Sequence, residues 1–207
     1  MDPVTSRMRA LYDSKAAQYR LATSSLAQFP GLDQEIGAFV GSLRIGGPVL
    51  DIGCGAGRDA EHIVELGRPV VLSDISRNML DIARSRVGAA AVHCDMAALP
   101  FADGAFAGIW MCGSLVHIPR ARQAGVLGES FRVLAPGGRI AISLKEGDGE
   151  GWRVGERMDE SRWFTYWRQE QVSDLLRDIG FRDVVTEPSG RGTWFIASGA
   201  RQSAGAH

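Results

Sequence analysis

From residue 49 onward, short apolar runs alternate with helical patterns, and no other feature limits the possible folds so strongly. The runs lie at 49–51, 69–73, 90–94, 107–112 and 139–144. Helical patterns occupy 57–66, 76–87 (with Ser76 as N-cap) and 120–134, the first ended by Gly67 and the last by "PGG". Runs such as "PVVLS" and "RIAISL" show little apolar–polar alternation, the pattern of strands buried on both faces. Strands of that kind alternating with helices predict an α/β fold, a doubly wound and mostly parallel sheet with helices on both faces.

The two ends differ from this middle. Helical patterns at 5–20 and 31–43 precede it, broken by "FPG" at 29–31. Residues 146–167, "EGDGEGWRVGERMDESRWFTYW", read as a long loop-like insertion. A helix at 168–179 follows, then strands at 181–187 and 192–198, close enough to pair as a hairpin. The expected sheet has seven strands and ends in this antiparallel pair. No repeat or linker divides the chain, so 1–207 is read as one domain. Its parts are a helical segment 1–45, a core 46–145, the insertion 146–167, a helix and strand pair 168–199 and a frayed tail 200–207.

Composition narrows the partners. Lys plus Arg is 23 and Asp plus Glu is 24, a formal net charge of -1, so neither nucleic acid nor a membrane is expected as a partner. Cys54, Cys94 and Cys112 are odd in number and lack metal-ligand spacing, so they read as free thiols with no metal site. The N-terminus has no apolar core of a signal peptide, and no apolar stretch reaches the roughly 18 residues of a membrane helix. The expected location is cytoplasmic.

"VLDIGCGAGRD" (49–59) sets Gly53, Gly55 and Gly57 between the first strand and its helix. Ligands of doubly wound sheets bind outside the carboxyl ends of the strands, and glycines there admit close approach and φ > 0. Asp74 ends the next strand, about 20 residues beyond Gly55, where a carboxylate accepts hydrogen bonds from a ribose diol. A nucleoside-containing cofactor is therefore expected. A dinucleotide fits less well. From Gly53 its third glycine would fall on Arg58, and from Gly55 on Ala60. Asp51 at the strand end suits a cationic ligand better than a pyrophosphate. Asp51, Asp74 and Asp95 end three successive strands and would repel one another unless cations or hydroxyls used them.

"VLDIGCGAGRD", "LSDISRNML", "HCDMAALPF" and "GIWMCGSLVHIP" resemble, in order and spacing, the successive motifs of class I S-adenosylmethionine-dependent methyltransferases. The likeness extends over about residues 10–198, and "LKEGDGEG…RWFTYW…LLRDIGF" is similar to a branch of small bacterial members. The resemblance implies S-adenosylmethionine as cofactor and S-adenosylhomocysteine as product. It places Asp51, Gly53, Cys54 and Gly55 along the methionine part, with Asp51 favouring the ammonium. Asp74 would take the ribose hydroxyls, Ile75 would pack on the adenine, and Asp95 would accept from the adenine amino group beside the Met96 backbone. Cys112 and Gly113 would flank the methionine moiety. The 1–45 segment would be a lid, with Tyr19 touching the cofactor, over a cofactor-binding core at 46–145.

Methyl transfer from a sulfonium chiefly requires positioning of the acceptor, and a base only where the acceptor must lose a proton. His117, after the fourth strand on the cofactor rim, is the candidate base and an acceptor contact; an unperturbed imidazole titrates near pH 6.5. Tyr12 and Tyr19, seven residues apart, share one helix face. The insertion holds Trp152, Trp163 and Trp167, aromatics that suggest a cover over an apolar or planar acceptor. Tyr12, Arg162, Trp163 and Trp167 are accordingly the further acceptor contacts expected. The leading expectation is methyl transfer to an O or N atom of a small molecule, on a monomer or homodimer. The alternatives are an RNA or protein methyltransferase, or a non-catalytic S-adenosylmethionine-binding regulator. Against the macromolecular reading stand the lack of a basic stretch and the "CGSL" found where N-P-P-[YFW] would be.

Overall fold

The computed structural model describes residues 2–155 and 158–203. Its centre is a run of four parallel strands, β3 (Ala90–His93), β2 (Val70–Asp74), β1 (Val49–Ile52) and β4 (Phe106–Cys112), in that spatial order. β5 (Leu134–Glu146) continues the sheet beside β4, again parallel. Alternate residues of these strands supply two cores. Leu50, Ile52, Ile109, Met111, Ile140 and Ile142 pack in one, and Val49, Leu72, Trp110 and Ala141 in the other. Both sets are buried, which is why the strands read as unbroken apolar runs.

Helices cover both faces. α2 (Leu32–Ser42), α3 (Arg58–Glu65) and α4 (Arg77–Val87) bring Ile36, Phe39, Ile63 and Leu80 to the second core. α5 (Arg120–Val133) and α6 (Gln169–Ile179) bring Val126, Leu127, Val172 and Leu176 to the first. Ser76 caps α4 as expected, accepting from the Met79 N–H at 3.2 Å. α1 (Pro3–Ala22) starts at an Asp2 cap that accepts from the Thr5 N–H at 3.0 Å.

Four features differ from the sequence reading: the PGG segment, the insertion, the number of strands and the start of the tail. "PGG" does not end a helix: α5 stops at Val133, and 135–138 bulge within β5, whose pairing with β4 shifts between Phe106 and Gly108. The insertion is not a loop either. It forms an antiparallel pair, β6 (Glu150–Gly155) and β7 (Met158–Trp167), and β7 joins the carboxyl end of β5 through Lys145↔Tyr166 and Glu146↔Trp167. Charged residues set between aromatics hid this period-two pattern. With β8 (Arg182–Pro188) and β9 (Trp194–Ala200) forming the expected antiparallel pair on β5, the sheet has nine strands, mostly parallel. Of the supposed tail, Ala200 ends β9 and Arg201 bonds the carbonyls of Phe131, Arg132 and Leu134; residues 204–207 lie outside the described residues.

Candidate functional site

The carboxyl ends of β1, β2 and β4 form one rim. At its centre, the loop after β1 turns back under β2, the Gly53 and Cys54 N–H groups both donating to the Ser73 carbonyl. A Cβ at Gly53 would lie 2.4 Å from the Ser114 Cβ, so packing within the rim itself demands that glycine. At Gly55 (φ +52) a Cβ would face the Tyr19 ring at 3.8 Å, so this is where the loop backbone stays open toward α1. The Gly55 N–H donates to the Asp74 carboxylate at 2.9 Å.

The rim is acidic and deeply set. Asp51 is buried, one of its carboxyl oxygens has no hydrogen-bond partner among the described residues, and its pKa is pushed well up by burial and then by Asp59 and Asp74. An orphaned carboxyl of this kind favours a bound cation. Asp74 is held by the Gly55 and Ser76 N–H groups, yet burial beneath α1 outweighs them and raises its pKa. Asp95 accepts from the Ala97 N–H at 3.0 Å and lies 3.4 Å from Arg122. Cys54, Cys94 and Cys112 are free, and burial raises the pKa of each thiol.

α1 roofs this rim. Asp13 accepts from the Ser76 hydroxyl at 2.7 Å and from the Asn78 N–H at 3.2 Å, Asp2 pairs with Arg122, and Lys15 pairs with Glu160 at 2.8 Å. Between roof and rim is a cavity of about 90 Å³ lined by Tyr12, Tyr19, Gly53, Gly55, Asp74, Ile75, Asp95, Met96, Cys112, Gly113 and His117, all singled out in the sequence. Asp51 and Cys54 line a smaller recess of about 40 Å³ that shares Tyr19, Gly53, Gly55 and Cys112 with it.

His117 sits on the short turn after β4 (Leu115–His117), buried. Its Nδ1 is 2.6 Å from the Trp163 carbonyl, which can only accept, so Nδ1 carries the proton and Nε2 keeps its lone pair. The Tyr12 hydroxyl donates to that Nε2 at 3.0 Å and in turn receives Arg162 Nη1 at 3.4 Å. Burial first, then the charges of Arg162 and Lys145, depress the imidazole pKa to about 3. The ring is therefore neutral far below the pH 6.5 expected of an unperturbed histidine.

A second cavity of about 510 Å³ opens on the other side of His117, sharing Tyr19, Cys112, Gly113 and His117 with the first. Arg162 lines it, as does Phe164. Trp163 and Trp167, expected to contact an acceptor, do not line it. On a strand, successive side chains point to opposite faces. Trp163 instead packs edge-on against Trp152, and Trp167 is buried with its indole N–H on Gln123 at 2.9 Å. Sequence reasoning missed Arg58, Lys145, Arg191 and Trp194 in this cavity. Lys145, near the carboxyl end of β5, could have been found by the strand-end rule; Arg191, in the β8–β9 loop, carries no sequence signal.

A glycine loop, three strand-end aspartates and a helical roof on a nine-stranded doubly wound sheet define a nucleoside-binding fold of the methyltransferase type. A family model described as a methyltransferase domain matches residues 49–138. That segment carries a methyltransferase domain, and the chain is similar in sequence to S-adenosylmethionine-dependent methyltransferases of class I. Methyltransferase GfsG of Streptomyces halstedii is 40% identical over 106 residues, 47% of this chain and 37% of that protein. A demethylmenaquinone methyltransferase of Symbiobacterium thermophilum is 32% identical over 178 residues, 78% of this chain and 65% of that protein. The chain thus spans 37% to 65% of the length of these two relatives. In fold it is similar to the crystal structure of Burkholderia thailandensis 1,6-didemethyltoxoflavin-N1-methyltransferase with bound 1,6-didemethyltoxoflavin and S-adenosylhomocysteine. The TM-score is 0.73 at 19% identity, over 98% of this chain and 92% of that one.

Proposed function

We propose that the chain binds S-adenosylmethionine on the acidic rim and transfers its methyl group to an oxygen or nitrogen atom of a small molecule. The observation that carries this reading is the position of His117, shared between a cavity under the rim carboxylates and a larger one beyond it. When bound, S-adenosylmethionine supplies a methyl group already activated on a sulfonium. The residues fit that cofactor. The orphaned Asp51 carboxyl suits its ammonium, and Asp74 retains lone pairs for a ribose diol. Ile75 and Met96 offer apolar surface for a base ring. Arg58, missed in sequence, lines the Asp51 recess and suits the amino-acid carboxylate. The roof leaves only about 90 Å³, so cofactor entry needs α1 and its Tyr12 and Tyr19 side chains to shift.

His117 is the proposed general base, a role that requires the bound acceptor to offset the Arg162 and Lys145 charges that help hold its pKa down. Its Nδ1–H is fixed on the Trp163 carbonyl, and Nε2 accepts the acceptor's proton once Tyr12 yields its place. Arg162 lines the acceptor side, and Tyr12, which lines the smaller cavity, joins it to His117. A roofed cleft supports a small acceptor over a macromolecular one.

The test is S-adenosylhomocysteine release from S-adenosylmethionine with a panel of phenols and amines. On a hydroxyl acceptor, His117→Ala should lower kcat by about 10²–10⁴-fold and leave cofactor affinity unchanged. A variant with unimpaired kcat would remove His117 from the chemistry; no release from any acceptor, with cofactor bound, would favour a non-catalytic binding protein.

A further inference from the structure

The 510 Å³ cavity is lopsided in charge. Arg58, Lys145, Arg162 and Arg191 line it, and among the described residues no Asp or Glu does. Two of the four are neutralised from behind: Arg58 by Asp59 at 2.7 Å and Arg191 by Glu35 at 2.7 Å. Lys145 and Arg162 have no carboxylate within 4.0 Å among the described residues. Arg162 is only 7% exposed, and its Nε has no hydrogen-bond partner among the described residues. Burying a guanidinium without an anion is costly, so a site that retains one is shaped for an anion it does not itself contain.

The walls between these cations are aromatic. The Lys145 ammonium lies 5.3 Å from the ring centroids of both Phe164 and Trp194, and Arg162 lies 5.2 Å from Phe164. Neither Lys145 nor Arg162 lines the cofactor recess, which already has Arg58. Their charges bear on the side of His117 away from the rim.

We propose that this cavity selects a methyl acceptor that is a flat, apolar carboxylic acid, its carboxylate taken by Lys145 and Arg162 and its ring system lying between Phe164 and Trp194. The inference rests on the methyltransferase reading, because it identifies this cavity as the acceptor side. The cationic walls would repel a positively charged acceptor, a protonated amine included, and hold an anionic one against the cationic cofactor.

The probes are 2-naphthoate and its neutral isostere 2-naphthamide, titrated into protein loaded with S-adenosylhomocysteine and followed by calorimetry. The acid should bind about tenfold or more tightly than the amide, the ratio expected for a hydrogen bond to a charged group. Lys145→Gln should erase most of that ratio by weakening the acid alone, with S-adenosylhomocysteine affinity unchanged. Equal binding of acid and amide to the wild type, or binding of neither, overturns the proposal even if the variant does not fold. Failure of S-adenosylhomocysteine to bind would count against the cofactor reading instead; the same pair of titrations in the cofactor-free protein would still decide whether the cavity is an anion site.

Discussion

At His117 the surroundings decide the chemistry. The Trp163 carbonyl fixes the tautomer, and burial with Arg162 and Lys145 keeps the ring neutral. Its depressed pKa links it to stability. Between about pH 6.5 and 3 the unfolded chain binds a proton on this ring that the folded chain refuses. The stabilisation is therefore complete above about pH 6.5 and is lost as pH falls toward 3. The slope from this group approaches about 1.4 kcal/mol per pH unit. Urea unfolding of wild type and His117→Gln at pH 6.5 and 4.5 reads it: the wild type should lose more stability than the variant. Equal losses would mean that His117 is protonated in the folded protein. Turnover, by the same reasoning, should not decline near pH 6.5 on account of this residue.

At the scale of elements, β7 separates two jobs by strand parity. Arg162 and Phe164 line the acceptor-side cavity, whereas Trp163 packs against Trp152 and Thr165 bonds the Ile118 carbonyl at 2.8 Å. Trp163→Phe should therefore leave acceptor KM within about twofold of wild type, whereas Arg162→Gln should raise it by about tenfold or more through lost binding of the acceptor. Steady-state kinetics on any active acceptor checks this, and the reverse order would place Trp163 at the cavity. The same strand shows where the sequence was opaque. Buried parallel strands betray themselves as apolar runs, and the strand-end positions of Asp51 and Asp74 follow from them. In β7 the apolar–polar contrast is blurred because an arginine, not an apolar residue, occupies an inward position. Aromatic enrichment suggested proximity to the acceptor; only the pairing with β6 and β5 shows which side chains turn inward.

Across the whole molecule, a net charge of -1 conceals a polar cleft. Carboxylates at the ends of β1 and β2 gather on one side of His117, and Lys145 and Arg162 on the other. The glycine loop and the aspartates could be read from sequence because a strand-to-helix turn is local. The cationic side could not, because it is assembled from β5, β7 and the loop before β9, which are far apart along the chain. In the proposed function the acidic side holds S-adenosylmethionine. Calorimetric titration of S-adenosylmethionine into wild type and Asp74→Asn tests it most directly, the variant keeping the shape of the side chain but not its charge. One site should be found, with affinity reduced about tenfold or more in the variant; no binding to wild type, or equal affinity in a folded variant, would contradict it.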